Sequence, residues 1–476
     1  MKNQNNKSLE FLKSSFSPVG KYESIEDILK WLKKRKQHVD VKIEKTLFSK
    51  LDKWQYEEKL GIIKHETSKF FSIDGIMVST NWGGVNSWQQ PIINQSEIGF
   101  LGIIVKEFDG ILHFLMQAKI EPGNKNYVQL SPTLQATKSN YTQAHNGKKP
   151  RYLEYFRNAR PEQVMLDQLQ SEQGARFLRK RNRNIIIKIE EEIPVYDDYT
   201  WVTLAQIKKL MQKNNIVNMD TRTVISGISF GNLDENVVDF FNFLGHNEKG
   251  ETTEKALLKS TLVEKGSLHS MDEIISFLTR LKSIYELDIC KIALKNLEGW
   301  IFNDSEIKHA EDKFFKVIPV DIEISNREVV KWSQPMVEPA QEGVSAFICK
   351  EINGLLHFAV QAKLECGNHD IIEFAPTVQC LTGNYRDSRK GSIPFLEYVL
   401  SVPKEKKIFD TMQSEEGGRF FKEQNRNLIV LAGEELSIEL PPNYIWMTLS
   451  QLNEFLKFNN YLNMQARSLI SAITFI

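Results

Sequence analysis

The chain has 476 residues, of which 61 are basic, 61 are acidic and 41% are hydrophobic. Balanced charge argues against nucleic acid or an anionic membrane surface as the main partner, and the length and apolar content favour at least two domains with packed cores. No apolar run approaches the roughly 18 residues of a membrane span, no signal-peptide core is present and no cysteines have metal-ligand spacing, so we expect a reduced, cytoplasmic protein.

The first predicted elements are a capped helix and a hairpin. Ser24, followed three residues on by an acid, is typical of a helix N-terminus. The apolar segments 101–105 and 111–116 predict two strands. The Asp109-Gly110 pair between them predicts a tight turn, because such pairs tolerate positive φ. We therefore expect an antiparallel hairpin near the centre of this half.

The next elements predict a mixed fold. Residues 166–171 have apolar positions that predict a helix ending near Gly174. The β-branched run 185–189 predicts another strand. Thr203 then begins a last capped helix, with apolar residues at helical spacing. This order of elements indicates the α/β (α+β) class.

The second half of the chain repeats these elements. Segments 110–141 and 354–385 are identical at 15 of 32 positions without a gap. We assign a first repeat to residues 20–230, a linker to 231–265 and a second repeat to 266–476. A duplicated fold needs shared apolar positions but no shared lysine, carboxylate and amides, so we expect a similar pocket in each repeat. The recurring polar residues are Lys119/Lys363, Glu121/Glu365, Asn124/Asn368, Gln135/Gln379 and Asn140/Asn384.

Longer motifs make the pattern specific. The first half reads Gln-Ala-Lys-x-Glu-Pro-Gly-Asn from Gln117 and Gln-Ser-Glu-Gln-Gly from Gln170. The second half has Gln-Ala-Lys-x-Glu from Gln361 and Gln-Ser-Glu-Glu-Gly from Gln413. Because these motifs are long, ordered and present twice, the whole chain resembles the NDP-hexose 2,3-dehydratases of deoxysugar biosynthesis.

The resemblance implies two Nudix-like mixed-sheet modules with flanking helices, in a homodimeric lyase. It implies removal of the C2 hydroxyl and the C3 proton of a dTDP-4-keto-6-deoxyhexose, which gives a 3,4-diketo-2,6-dideoxy sugar. It implies no cofactor, because the substrate already carries the C4 ketone, and no metal. An NADPH-dependent 3-ketoreductase is the implied enzyme that acts on the product.

The second repeat departs from the family pattern more than the first. Cys366 stands where the first repeat has Pro122, and Leu381-Thr382-Gly383 replaces Thr137-Lys138-Ser139. His145 has no histidine counterpart. We therefore expect the first repeat to be the active module and the second pocket to be degenerate.

The implied reaction needs a base for the C3 proton, a donor for the enolate oxygen and an acid for the departing hydroxyl. The residue types suit His145 or Glu172 as base, and Lys119 or Tyr141 at the oxygen atoms. Arginines suit the diphosphate, amides the sugar or thymine, and aromatic rings the base. The binding candidates of the first pocket are Trp88, Glu121, Asn124, Gln135, Asn140, Arg151, Tyr155, Arg176 and Arg183. Those of the second pocket are Trp332, Lys363, Glu365, Gln379, Asn384, Tyr385, Glu415, Arg419 and Arg426.

Simpler roles stay open for several of these residues. Asn124 suits a turn, and Lys119 and Glu121 could form a surface pair. His145 lies in a polar segment that is also consistent with a solvated loop histidine. His113, inside a hairpin strand, is expected to pack in the core.

Two other functions also stay open from the residues themselves. One is a Nudix-type nucleotide-sugar pyrophosphohydrolase, which is disfavoured because the acidic metal-binding helix of such enzymes is incomplete in this sequence. The other is a non-catalytic protein that binds a nucleotide sugar in both repeats.

Overall fold

A computed structural model describes residues 2–21, 23–137, 149–230, 252–263, 265–325, 329–381 and 393–476. Within these ranges no helix is long and apolar enough to cross a membrane. The helices are α1 (Lys2–Ser15), α2 (Ile25–Gln37), α3 (Leu153–Arg157), α4 (Leu204–Met211), α5 (Met219–Ser226), α6 (Thr253–Leu262), α7 (Met271–Ile284), α8 (Leu396–Ser401), α9 (Leu449–Leu456) and α10 (Met464–Ser471).

The strands of the first half are β1 (Val41–Lys45), β2 (Trp54–Glu57), β3 (Ile62–His65), β4 (Ser72–Thr80), β5 (Ser87–Asn94), β6 (Gly99–Phe108), β7 (Ile111–Ile120), β8 (Val128–Ser131), β9 (Leu134–Ala136), β10 (Val164–Ser171), β11 (Arg181–Lys188) and β12 (Tyr199–Thr203). Those of the second half are β13 (Leu287–Ile292), β14 (Trp300–Phe302), β15 (Ile307–His309), β16 (Phe315–Ile324), β17 (Lys331–Pro339), β18 (Gly343–Ile352), β19 (Leu355–Leu364), β20 (Ile372–Ala375), β21 (Val378–Leu381), β22 (Lys407–Ser414), β23 (Gln424–Ala432) and β24 (Tyr444–Thr448).

Each half of the chain builds one seven-stranded mixed sheet. The first has the order β10-β11-β6-β7-β12, with β8 beside β7 and β9 beside β6. The second has the order β22-β23-β18-β19-β24, with β20 beside β19 and β21 beside β18. In both, one central pair is parallel, β11 with β6 and β23 with β18. The prediction of a duplicated fold with mixed α and β structure is confirmed.

The predicted hairpin is confirmed in both halves. Asp109 and Gly110 have φ angles of 52° and 79° in the turn between β6 and β7, and Asn353 and Gly354 have 53° and 73° in the turn between β18 and β19. Positive φ at both turn residues is the type I′ geometry that matches strand twist. The core position predicted for His113 is also confirmed, since only 2% of this residue is exposed and its Nε2 accepts a backbone N–H.

The capped helix starts are confirmed as well. The Ser24 side chain accepts a hydrogen bond from the Asp27 backbone at the start of α2. Thr203 and Gln206 form a reciprocal capping box at the start of α4. These local hydrogen bonds satisfy backbone donors that a helix leaves free in its first turn.

The helix predicted at 166–171 is wrong, because this segment is β10, and its equivalent in the second half is β22. In β10, Leu166 is buried while Asp167 is exposed, and Leu166 pairs with Ile186 of β11. In so short a segment, the spacing of apolar residues fits both a helix and a strand. The pairing with β11 therefore determines that the segment is a strand.

Two smaller sheets exchange one strand each between the halves. Strand β1 joins β16 of the second half, with Val41 opposite Ile324. Strand β13 joins β4 of the first half, with Leu287 opposite Thr80. Each five-stranded sheet therefore contains one strand from the other half, and separating the halves would expose unpaired sheet edges.

Helix α6 lies inside the segment that we expected to be a linker, and its contacts match those of α1. Ser14 Oγ donates to Leu112 O at 2.6 Å and accepts from Leu204 N at 2.9 Å. Ser260 of α6 makes the equivalent pair of bonds, at 2.6 and 3.0 Å. Residues 231–251 of the expected linker lie outside the described residues.

Candidate active site

The turn after β7 docks on a loop from the other half of the chain. The Gly123 N–H donates to Gly417 O at 2.7 Å. A Cβ atom added at Gly417 would lie only 2.5 Å from Asn124 Oδ1. Such close approach of backbone to side chain explains why glycine is present at this point of the loop.

The same docking occurs with the halves exchanged, since the Gly367 N–H donates to Gly174 O at 2.6 Å. Both clusters of recurring polar residues are therefore completed by a loop of the opposite half. We call Lys119, Glu121, Asn124 and Gln135 with the facing segment 416–419 the first site, and Lys363, Glu365, Asn368 and Gln379 with the facing segment 173–176 the second site.

Hydrogen bonds hold the recurring residues of the first site together. Gln135 Nε2 donates to Glu121 Oε1 at 2.6 Å, and Asn124 Nδ2 donates to Glu121 Oε2 at 3.4 Å. Lys119 Nζ lies 3.8 Å from Glu121 Oε1. Asn218 at the start of α5 donates to Gln135 Oε1 at 3.3 Å. Only 3% of Glu121 is exposed, so Lys119 and Glu121 form a buried pair rather than a surface pair.

The second site repeats this network. Gln379 Nε2 donates to Glu365 Oε1 at 2.8 Å, and Asn463 Nδ2 donates to Gln379 Oε1 at 2.7 Å. Lys363 Nζ donates to Gln379 O at 2.9 Å. The polar residues that recur in the sequence thus have the same arrangement in both halves.

Two equivalent acids, Glu172 and Glu415, lie where the loops of the two halves face each other. Asn182 Nδ2 donates to Glu172 Oε1, and Asn425 Nδ2 donates to Glu415 Oε1, each at 2.6 Å. Gln173 Nε2 crosses between the halves and donates to Glu415 Oε2. Glu172 is therefore next to the loop of the second half and not enclosed by the first half alone.

Two buried arginines hold these loops and were not among the predicted site residues. Arg222 of α5 donates through Nη2 to Ser414 O, and Arg467 of α10 donates through Nη2 to Ser171 O. Both guanidinium groups are at most 1% exposed. The sequence carries a signal for them, because the motif Asn-Met-x-x-Arg ends each repeat.

Asp220 and Glu416 add two further carboxyl groups near Glu121 and Glu172, and sequence reasoning missed both. Burial raises the pKa of Asp220 well above its usual value, and the charges of Glu121, Glu416 and Glu172 add to the effect. Burial also raises the pKa of Glu416 to about 7, with Glu121 and Glu172 acting in the same direction. Burial and like charges both disfavour the charged form of a carboxyl group.

Buried polar atoms without a hydrogen-bond partner concentrate at the two sites within the described part of the chain. They include Glu172 Oε2 and Asn124 Oδ1 near the first site, and Glu365 Oε2 and Asn368 Oδ1 at the second. Buried polar atoms are almost always satisfied by protein groups or ordered water, so these atoms are available to a polar ligand or to water. Among the described residues, no three His, Cys, Asp or Glu side chains are grouped to hold a metal ion.

The arginines predicted for the diphosphate are exchanged between the sites. The guanidinium of Arg176 lies 4.1 Å from the ring centroid of Phe315 in the second half. That of Arg419 lies 4.1 Å from the ring centroid of Phe71 in the first half, and its Nε donates to Gln95. Arg419 thus accompanies the first site and Arg176 the second, because the loops that carry them cross between the halves.

Other predicted arginines have carboxylate partners away from the carboxyl cluster. Arg183 binds Asp167 through two bonds of 2.7 and 2.5 Å, and Arg426 binds Asp410 in the same way. Arg151 pairs with Asp198 at 2.5 Å. Successive side chains of a strand face opposite sides. Arg183 therefore points away from Asn182, which binds Glu172, and Arg426 points away from Asn425, which binds Glu415.

The predicted aromatic residues support the loops or the core. Trp88 Nε1 donates to Gln90 Oε1 at 2.9 Å, and Gln90 in turn donates to Ala175 O in the loop after β10. Trp332 has the same relation to Gln334. Tyr155 packs against the core of the first half. The predicted residues Asn140, Tyr141, His145, Asn384 and Tyr385 lie outside the described residues.

A surface cavity of about 350 Å³ lies beside the docking turn. Lys422, which lines it, donates its backbone N–H to Gly123 O at 2.7 Å. Its other lysines have carboxylate partners, as Lys45 does with Glu338 at 2.8 Å. We therefore do not assign this cavity to the reaction.

The comparisons with known proteins agree with this duplicated arrangement. The family model for NDP-hexose 2,3-dehydratase matches twice, over residues 25–228 and 271–473. A dTDP-4-dehydro-6-deoxy-alpha-D-glucopyranose 2,3-dehydratase of Saccharopolyspora spinosa is 42% identical over 93% of this chain and 90% of its own length. Proteins of the same name are 38% identical in Amycolatopsis orientalis, over 94% and 90% of the two chains, and 39% identical in Streptomyces violaceoruber, over 93% and 95%.

Proposed function

Because the chain belongs to the NDP-hexose 2,3-dehydratase family, we propose that it is a hydro-lyase that acts on a dTDP-4-keto-6-deoxyhexose. It removes the C2 hydroxyl and the C3 proton, and the enol that forms tautomerises to the 3,4-diketo-2,6-dideoxy sugar. The observation that carries this proposal is the family match over both repeats, to relatives named for this reaction. The buried Lys-Glu-Asn-Gln cluster of each repeat supplies polar groups suited to a sugar.

Catalysis takes place at the first site. Glu172 is the base for the C3 proton, since burial raises its pKa and thereby its basicity, and its Oε2 has no hydrogen-bond partner. His145 is the alternative base. Lys119 stabilises the developing C4 oxyanion, or Tyr141 does so, as a positioned donor of this kind contributes about 3–4 kcal/mol.

Substrate binding uses the amides around Lys119 and the arginine that crosses from the second half. Asn124 and Gln135 bind sugar hydroxyls, with Glu121 orienting both. Arg419 binds the diphosphate, because a planar guanidinium matches phosphate oxygens. The second site, with Lys363, Glu365 and Gln379 but a less complete motif, is not the site of turnover.

Further parts of the proposal follow from the family. The two repeats, 20–230 and 266–476, are Nudix-like modules, and the chain forms a homodimer in the cytoplasm. Its diketo product is consumed by an NADPH-dependent 3-ketoreductase, since an unreduced vicinal diketone is reactive.

Incubation with dTDP-4-keto-6-deoxyglucose, followed by reductive trapping and mass spectrometry, tests the function. Loss of one water from the sugar supports the dehydratase. Release of a nucleoside monophosphate would instead indicate a pyrophosphohydrolase, and an unchanged nucleotide sugar would indicate a binding protein. Exchange of the C3 proton for solvent deuterium in recovered substrate reports the base independently of water loss, because C3 carries no hydrogen in the diketo product.

A further inference from the structure

The two sites differ in the side chain at position 416, which is a glutamate. Its equivalent in the first half is Gln173, whose amide donates to Glu415 Oε2. Glu416 is the equivalent residue of the loop near Glu172, and the charge of Glu172 is among the causes that raise the pKa of Glu416. An amide can satisfy a carboxylate but cannot give it a proton, whereas two neighbouring carboxyl groups favour a state in which one of them keeps its proton.

A second position also has an acid at the first site and a glutamine at the second site. Asp220 follows the asparagine cap of α5, and Gln465 occupies the equivalent place in α10. Asp220 is 2% exposed, so it lies behind the site rather than at its surface. Of the described residues, the first site gathers Glu121, Glu172, Asp220 and Glu416, and the equivalent positions at the second site are Glu365, Glu415, Gln465 and Gln173. The second site has two other buried acids, Glu373 and Glu423, whose counterparts in the first half are Gln129 and Lys180.

The first site also has the accessibility and the unsatisfied atoms that a ligand needs. Glu416 is only partly buried, so it can touch a bound molecule. Asn124 is fully buried, and its Oδ1 faces Gly417, the neighbour of Glu416, without a hydrogen-bond partner. The buried Glu172 Oε2 is likewise without one.

We propose that Glu416, contributed by the second half of the chain, is the catalytic acid that protonates the departing C2 oxygen at the first site. This role rests on the proposed dehydratase function. Asp220 is a positioning residue, since its charge or its proton acts through Glu416 and Glu121 without contact to the sugar.

The step balances in protons and electrons. The base removes the C3 proton, and the C3–H electron pair forms the C3=C4 bond of an enolate. That pair then forms the C2=C3 bond, the C2–O bond breaks with its electrons on oxygen, and the Glu416 proton converts the leaving group to water. Glu416 is left as a carboxylate and the base holds the C3 proton, which returns through exchange between them or with solvent.

The pKa of Glu416 allows it to supply the proton that this step requires near neutral pH. Burial is the main cause of its raised pKa of about 7, and Arg419 and Lys119 oppose the shift. Neighbouring charges thus keep the pKa in the range where an acid is efficient near neutrality. The charged or titratable groups that act on Glu416 or are acted on by it are Lys119, Glu121, Glu172, Lys180, Asp220 and Arg419.

A substrate analogue that needs no acid tests this role. In dTDP-4-keto-6-deoxyglucose with fluorine in place of the C2 hydroxyl, fluoride leaves with the C2 electrons and takes no proton. We expect Glu416→Gln to slow water loss from the natural substrate by roughly 10²-fold or more. Fluoride release from the analogue should stay within about threefold of the wild-type rate. Glutamine at the equivalent position 173 indicates that the fold accepts this substitution.

The controls separate the possible failures. The exposed Glu405→Gln should leave both rates unchanged, and thermal unfolding and dTDP binding should verify that the Glu416→Gln protein is folded. If Glu416→Gln slowed water loss and fluoride release equally, its role would be structural or that of a base, and the proposal would be overturned. Water loss at the wild-type rate in Glu416→Gln would also overturn it. A wild-type chain that releases neither water nor fluoride would overturn the proposed function itself.

Discussion

Gly123 and Gly417 come from opposite halves of the chain and are joined by a hydrogen bond of 2.7 Å. The bond places the turn after β7 against the loop after β22. Because Glu121 lies in that turn and Glu416 in that loop, the proposed active site exists only when both halves are folded together.

Alanine at position 417 should damage the site by overpacking. Its Cβ would lie 2.5 Å from Asn124 Oδ1 and 2.8 Å from Glu121 Cβ, which forces a displacement costing about 1–3 kcal/mol of stability. Misplaced catalytic groups should lower kcat/KM by roughly 10²-fold. The control Gly84→Ala meets no atom within 4 Å and should change neither quantity. Wild-type kinetics in Gly417→Ala would contradict the described contact.

The exchanged strands predict that the halves depend on each other. Fragments 1–250 and 251–476, co-expressed with a tag on one, should purify together and turn over substrate, because β1 and β13 each complete a sheet of the other fragment. Either fragment alone should be inactive and prone to aggregate through its open edges. An active single fragment would show that one repeat is sufficient.

Arg183 should prove dispensable for turnover. Its guanidinium already binds both oxygens of Asp167, and 38% of its side chain is exposed. Arg183→Ala should change kcat/KM by less than about twofold, and a pair this exposed contributes only about 0.2–1 kcal/mol of stability. Arg419→Ala, measured beside it, should raise KM for the nucleotide sugar markedly. The opposite ranking of the two variants would return Arg183 to the substrate site.

The raised pKa of Glu416 also predicts how stability depends on pH. The folded-state pKa of about 7 exceeds the ordinary value of 4.5, so between these values the folded state binds more protons than the unfolded state. The free energy of unfolding should therefore fall as the pH rises from about 4.5 to about 7. Urea denaturation across this range should give a smaller fall for Glu416→Gln than for wild type. Glu373 and Glu423, whose pKa values are also raised to about 7, remain in both proteins. An equal fall in the free energy of unfolding of the two proteins would contradict the raised pKa of Glu416.

Local signals in the sequence predicted the fold best. The cap at Ser24 and the Asp109-Gly110 turn depend on residues a few positions apart, and the structure has both. The helix predicted for segment 166–171 was wrong because six residues are too few to distinguish the helical period from the strand period. Pairing with β11 makes this segment a strand. The pairing of β1 with β16 depends on tertiary contacts between halves, and no short-range pattern indicates it.

Sequence comparison of the two repeats selects candidate site residues only where the repeats agree. Lys119 and Glu121 were chosen as candidates because each has an identical counterpart. Asp220 and Glu416 were missed for the opposite reason, since glutamines occupy their equivalent positions and a search for shared residues passes over them. Arg419 was grouped with the second pocket, whereas its structural neighbours Phe71 and Gln95 belong to the first half, because sequence order does not reveal that the loops cross.

A double-mutant cycle on kcat/KM for water loss tests the central claim most directly, namely that Glu121 of the first half and Glu416 of the second serve one active site. Each change to glutamine alone should lower kcat/KM strongly, and the double variant should be far more active than the product of the two effects predicts, because groups that act as a unit are not additive. The matched change Glu365→Gln at the second site should have the smaller effect. Multiplicative losses from Glu121→Gln and Glu416→Gln, or a larger loss from Glu365→Gln, would contradict the account.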